Sequence, residues 1–234
     1  MYNKIWKNRW KTNDIGFHEP LSNPLLSRFL PSLNLSKNDP ILVPLCGKSL
    51  DMDVLADLGF NVIGVELSNL AIKAYFEARE VKPKREKQGR FIRWSHDNIE
   101  ILCGDIFDLT HQHIGHINAL YDCTSLAAFP SELRPAYVRH FFERLSKLSQ
   151  ILLITSESSD DSISHSELTI DSEVNELYRH CYQVELLHGL NCLKRDPEHP
   201  ESPMQLMDEK VYHMKSHSYI AHHWPVKPLS SSGK

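Results

Sequence analysis

Residues 41–52 read ILVPLCGKSLDM: an apolar run, a lone glycine, then Lys48 and Ser49 leading into a helical pattern. A strand, a tight turn and a helix in that order offer backbone N–H groups to a ligand at the helix start. A phosphate loop would need Gly-x4-Gly-Lys-Ser, so that several N–H groups curl around the phosphates. The position that should hold its first glycine is Leu42, inside the strand. The dinucleotide fingerprint Gly-x-Gly-x-x-Gly fails as well, because Gly47 stands alone.

Two acids sharpen the reading. Glu66 ends the next apolar run, nineteen residues past Gly47, where a carboxylate can accept hydrogen bonds from both hydroxyls of a ribose. Asp105 and Ile106 close a later run in GDIF, and a carboxylate beside an apolar side chain suits the amino group and ring face of adenine. Each acid alone could simply cap the turn after its strand. Both at one sheet edge favour a binding site. A nucleoside ligand without a pyrophosphate fits this set, and S-adenosylmethionine (AdoMet) is such a ligand.

The elements that must position these residues follow from periodicity. Trp6 and Trp10 are four apart and share a helical face. Asn23-Pro24 is an N-cap and first-turn pair for a helix over LLSRFLPSL. Strands are expected at 41–45, 60–67, 117–123 and 150–157, with FIRWS and IEILCGDIF as a hairpin or two short strands around His96-Asp97-Asn98. Ser49 and Ser68 are placed to cap helices, the first ending at Gly59. EVKPKREKQGR reads as a polar connection, and 133–148 and 173–181 as helices. Strands VELLHGL and KVYHM, joined by DPEHPESP without a helical crossover, should pair antiparallel.

This alternation predicts an α/β fold with a doubly wound, mostly parallel sheet. Residues 1–220 are expected to form one domain, with 1–35 as an N-terminal lid and helices and 221–234 as a loose tail. The serine-rich stretch from Ser156 to Ser166 reads as a mobile loop near the active site. A net charge of −4 over 234 residues gives no global basic field for nucleic acid or a membrane surface. No apolar run approaches the roughly 20 residues of a membrane span. The N-terminus lacks a signal-peptide core, and five scattered cysteines without a CxxC pair read as reduced thiols, so a cytoplasmic protein is expected.

Several stretches together carry a resemblance: W-x3-W followed by IGFHEP and NPLL, then VPLCGKSLDMDVLADLGFNVIGVELS, GDIFDL and LYDCTSLAAFP. The chain resembles the thiopurine S-methyltransferase family from Trp6 to about Met214. The resemblance implies a seven-stranded, Rossmann-like class I methyltransferase fold with a reversed last strand, AdoMet as cofactor and a small thiol, thiopurine or selenol as acceptor. A monomer is expected. Trp10 then matches a tryptophan on the segment that closes over the cofactor, and Leu45 the strand-end main chain that meets the methionine moiety. Gly47 matches the turn glycine, Glu66 the ribose acid and Ile106 the adenine contact.

One position departs from the pattern. The family has Asp-Arg where this chain has Asp122-Cys123. Either another cation compensates, Arg195 being the only arginine after residue 179, or the acceptor differs. Cys123 would face the pocket, but neither a base nor a source of thiol activation is evident for it. The fourteen histidines, including His111, His113 and His116, lack a metal-ligand spacing and read as surface residues. No catalytic dyad is expected, because an acidic thiol or selenol needs only alignment with the donor. The alternatives are an AdoMet-binding relative with an altered acceptor or lost catalysis and, more remotely, a P-loop nucleotide-binding protein.

Overall fold

Ile41, Leu42 and Val43 are all buried, and they point alternately to two separate apolar layers. A strand with no solvent face belongs in the middle of a sheet covered on both sides. The computed structural model describes residues 2–145, 148–158, 171–194 and 203–217. In chain order its strands are β1 (Pro40–Pro44), β2 (Asn61–Glu66), β3 (Lys84–Gln88), β4 (Phe91–His96), β5 (Ile99–Cys103), β6 (Ala119–Cys123), β7 (Gln150–Ser158), β8 (Tyr182–Lys194) and β9 (Gln205–Ser216). They form one sheet in the order β3-β4-β5-β2-β1-β6-β7-β9-β8.

The centre, β5-β2-β1-β6-β7, is parallel throughout. β9 runs against both β7 and β8, so the reversed last strand is present where the sequence placed it. The sheet holds nine strands against the seven implied. The excess lies in an added edge: β3 and β4 pair antiparallel with each other, and β4 pairs antiparallel with β5. The expected polar connection is therefore partly a strand. Its residues KREKQ are exposed on nearly every position, so no apolar alternation marks them.

Helices fill both faces: α1 (Tyr2–Thr12), α2 (Pro24–Phe29), α3 (Asp51–Asp57), α4 (Asn69–Glu77), α5 (His111–Ile114), α6 (Ser125–Ala128), α7 (Arg134–Arg144) and α8 (Ser172–Tyr178). Asn23 caps α2 as expected, its side chain accepting from the Leu25 N–H at 2.9 Å. Pro31 removes a donor inside the expected helix, and residues 30–33 tighten to a 3-10 turn. Ser49 Oγ accepts the Asp51 N–H at the start of α3. Ser68 sits at the N-cap of α4, yet its hydroxyl makes no capping bond. α7 is shorter than the expected 133–148.

β7 continues three residues into the expected loop, to Ser158. The rest of that loop, the DPEHPESP connection up to residue 202, Arg195 and the tail 221–234 lie outside the described residues. Among the described residues, no helix is long and apolar enough to cross a membrane.

Gly64 shows how tightly the β2 side is packed. A Cβ there would stand 2.7 Å from Cys46 Sγ and 3.2 Å from Met52 Sδ. Gly64→Ala should therefore cost about 1–3 kcal/mol in chemical denaturation. Cys46→Ala in the same chain should restore part of that loss, a non-additivity expected of groups in contact. Additive single-mutant effects would contradict this packing.

Candidate active site

The carboxyl ends of β1, β2, β5 and β6 open onto one cavity of about 320 Å3. That places it where ligands bind in open α/β sheets, near the point where connections change sides. The volume lies at the lower end of the usual range for small-molecule sites. Trp10, Leu45, Gly47, Glu66, Asp105, Ile106 and Cys123 all line it. The seven described candidate residues come from five separate stretches of chain, and folding brings them around one cavity.

The turn after β1 is strained. Leu45 has φ +48 and Gly47 φ +53, the left-handed region that costs a non-glycine residue about 1–2 kcal/mol. Thr124, after β6, has φ +64. Strained backbone collected around a cavity is typical of binding sites. Gly47 is further constrained from above, since an added Cβ would lie 3.2 Å from the Trp10 ring.

Glu66 is buried at the end of β2. Its Oε2 accepts the Gly47 N–H at 2.9 Å and its Oε1 the Ser68 N–H at 2.6 Å. The carboxylate thus ties the β1 turn to the β2 turn. Each carboxylate oxygen keeps acceptor capacity on the cavity side. Burial raises the Glu66 pKa to about 7 despite the N–H donors that favour its charged form.

Asp105 is held from two directions. Its Oδ1 accepts the Phe107 N–H at 3.0 Å, and its Oδ2 accepts from Asn3 of α1 at 2.6 Å. The capping role weighed from sequence is thus present, alongside a place on the cavity wall. Ile106, buried, begins the 3-10 turn that follows.

Cys123 Sγ receives Nδ2 of Asn23 at 3.5 Å. Behind it, Asp51 accepts the Asn23 N–H at 2.7 Å and the Tyr121 hydroxyl at 2.8 Å. Burial, with Asp51 nearby, pushes the Cys123 thiol up to about 12. It is neutral at physiological pH and no nucleophile. Asp122 points away from the cavity, accepting from Tyr137 at 2.8 Å and from the Ser125 N–H at 2.9 Å. Burial lifts it to about 6.

The roof is α1, and the sequence reading missed most of it. Tyr2, Asn3, Trp6, Arg9 and Trp10 all line the cavity, a spacing that puts them on one helical face. Tyr2 stacks on Phe129 at 5.4 Å, and Phe17 meets Trp6 and Trp10 edge-on at 5.2 and 5.7 Å. Periodicity within 2–10 was the one available signal for Tyr2, and it says nothing of Phe129. Tyr2 Oη and Trp6 Nε1 are buried without a hydrogen-bond partner among the described residues. Aromatic walls together with two carboxylates in one cavity fit a flat ligand carrying hydroxyl and amino groups.

The P-loop alternative finds no support here. Leu42 is fully buried within β1, so the chain before Gly47 does not curl into an anion cradle. Among the described residues no group of histidines, cysteines and acids is arranged to hold a metal.

Burial of Glu66 makes a pH prediction. The folded protein keeps a proton on Glu66 between its ordinary 4.5 and about 7, where the unfolded chain has released it. The stability this contributes is full below the lower value and is lost as pH rises through the upper one. Unfolding free energy of the ligand-free protein, measured against Glu66→Gln from about pH 4.5 to about pH 8, should shift against the native protein by on the order of 3 kcal/mol. A difference flat with pH would contradict the raised value.

The family model described as thiopurine S-methyltransferase matches residues 1–217. A thiopurine S-methyltransferase of Nitrosospira multiformis is 36% identical over 213 residues, covering 91% of this chain and 97% of that one. One of Stutzerimonas stutzeri is 37% identical over 213 residues, covering 91% and 90%. Among solved structures, a SAM-dependent methyltransferase from Anabaena variabilis superposes with a TM-score of 0.59 at 18% identity, over 92% of this chain and 95% of that one. Magnesium protoporphyrin IX methyltransferase of Synechocystis, solved with bound SAM, gives 0.58 at 12% identity, over 93% and 98%. At such identities the structural likeness concerns the fold: an α/β methyltransferase sheet.

Proposed function

The chain belongs to the thiopurine S-methyltransferase family, and from that premise we propose that it is an AdoMet-dependent S-methyltransferase acting on a small thiol, thiopurine or selenol. The observation that carries this reading is Glu66, a buried carboxylate anchored by two backbone N–H groups on the floor of an aromatic-roofed cavity. Bound AdoMet would supply a methyl group on a sulfonium, already activated for in-line displacement.

On this reading Glu66 would accept from the ribose hydroxyls, and Asp105 and Ile106 would hold the adenine. The strained main chain at Leu45 and the Gly47 turn would receive the amino-acid end. Tyr2, Trp6, Trp10, Phe17 and Phe129 exclude water and hold the reactants in line, which supplies most of the rate in a displacement needing no strong base. Cys123, neutral and bonded to Asn23, positions the wall and takes no part in the transfer.

Calorimetry with AdoMet and S-adenosylhomocysteine, followed by a methylation screen of aromatic thiols, selenols and thiopurines, tests the proposal. Glu66→Gln should weaken both ligands about 10- to 100-fold, the loss of a charged acceptor. Undiminished affinity in that variant would refute the ribose role, and a wild-type protein that binds AdoMet but methylates no thiol or selenol would refute the acceptor class. At the departing position, Cys123→Arg should raise thiopurine turnover by adding a fixed cation. Crowding against Asn23 should lower stability by about 1–3 kcal/mol. A folded Cys123→Arg protein without any gain on thiopurines would count against a missing cation as the cause of the departure.

A further inference from the structure

The first turn of α1 brings rings and hydrogen-bond acceptors to the same part of the cavity. Tyr2 and Phe129 both line it, stacked with centroids 5.4 Å apart and planes at 26°. Asn3, the next residue of the helix, also lines the cavity and donates from Nδ2 to Asp105 Oδ2 at 2.6 Å. Asp105 and the buried Ile106 follow β5, so a lid residue and the sheet edge meet here across 102 residues of chain.

That bond fixes which way the Asn3 amide is turned. A carboxylate offers acceptors, so the amide must present its NH2 to Asp105 and keep its carbonyl oxygen for another partner. Asp105 is itself only partly spent. Its Oδ1 accepts the Phe107 N–H at 3.0 Å and its Oδ2 accepts from Asn3, while each oxygen can take a second donor.

A carboxylate and an amide oxygen on neighbouring side chains, next to two stacked rings, suit a flat group with two donors on one atom. The exocyclic amino group of adenine is such a group. A purine with oxygen at that position presents an acceptor instead. It would set oxygen against oxygen and leave the acceptors of the pocket without donors, the arrangement by which a hydrogen-bonding site rejects a close analogue.

We propose that Asn3 is a specificity-determining residue: together with Asp105 it selects a 6-amino purine, so that the lid helix reads the base of the ligand as well as covering it. This rests on the AdoMet reading above and deepens it. A lid that only latched to the sheet through the same Asn3–Asp105 bond would hold every nucleoside ligand alike.

Two ligands separate base reading from a latch. S-adenosylhomocysteine carries the 6-amino group, and S-inosylhomocysteine differs from it by a 6-oxo group alone. In competition calorimetry the wild-type protein should prefer S-adenosylhomocysteine about 100-fold or more. Asn3→Leu keeps the approximate shape without polar atoms. It should weaken S-adenosylhomocysteine about 10-fold and leave S-inosylhomocysteine nearly unchanged, the loss of one hydrogen bond to the amino group. Asn3→Ala, which adds no bulk, should give the same selective loss, and Asn3→Gln should recover part of it. Thermal melts of each ligand-free variant check the fold. Equal weakening of both ligands in the folded variants would reduce Asn3 to a latch and overturn the proposal, as would a wild-type protein that does not discriminate between them. Failure of the wild-type protein to bind S-adenosylhomocysteine would defeat the AdoMet reading as well. Tight binding of it, with the preference undiminished in Asn3→Leu and Asn3→Ala, would defeat the Asn3 role alone.

Discussion

A buried carboxylate is expensive unless its oxygens are satisfied, and much of this site is arranged around satisfying one. Glu66 stands at the end of a central parallel strand, where the chain must turn and backbone donors are left without strand partners. It takes one donor from the β1 turn and one from the β2 turn. Two loops that share no sequence proximity are thereby held at fixed separation. Gly47 needs its left-handed conformation to offer that N–H, and Leu45 bears strain in the same turn.

The lid answers the same floor from the other side. Its contacts are of two kinds: aromatic packing of Tyr2, Trp6 and Trp10 on Phe129, Phe17 and Gly47, and the polar link from Asn3 to Asp105. Packing excludes water, and the polar link sets register. Behind the site, Asn23, Asp51, Tyr121 and Cys123 form a polar network that joins the cap of α2 to the start of α3 and the end of β6. Cys123 is seated in that network by a weak sulfur contact where a charged side chain would demand a stronger partner.

The parallel centre of the sheet was legible because strands buried on both faces must be apolar throughout, as 41–43 and 151–154 are. β3 was not legible, since an exposed edge strand made of KREKQ has nothing to alternate and is defined by its hydrogen bonds to β4. Ser68 occupies the cap position that its type suggested, yet its hydroxyl makes no capping bond, and its own N–H goes to Glu66, a partner that local sequence does not reveal.

The sequence by itself determined the floor of the site. Leu45, Gly47, Glu66, Asp105, Ile106 and Cys123 sit at or just past the carboxyl ends of parallel strands, and that position follows from reading where each apolar run stops. The roof was decided by tertiary structure. That Tyr2 would stack on Phe129, Asn3 would bond Asp105 and Arg9 would enter the same cavity depends on how α1 lies across the sheet. Helical periodicity fixes which residues share a face; which surface that face meets is set by long-range packing between segments more than a hundred residues apart.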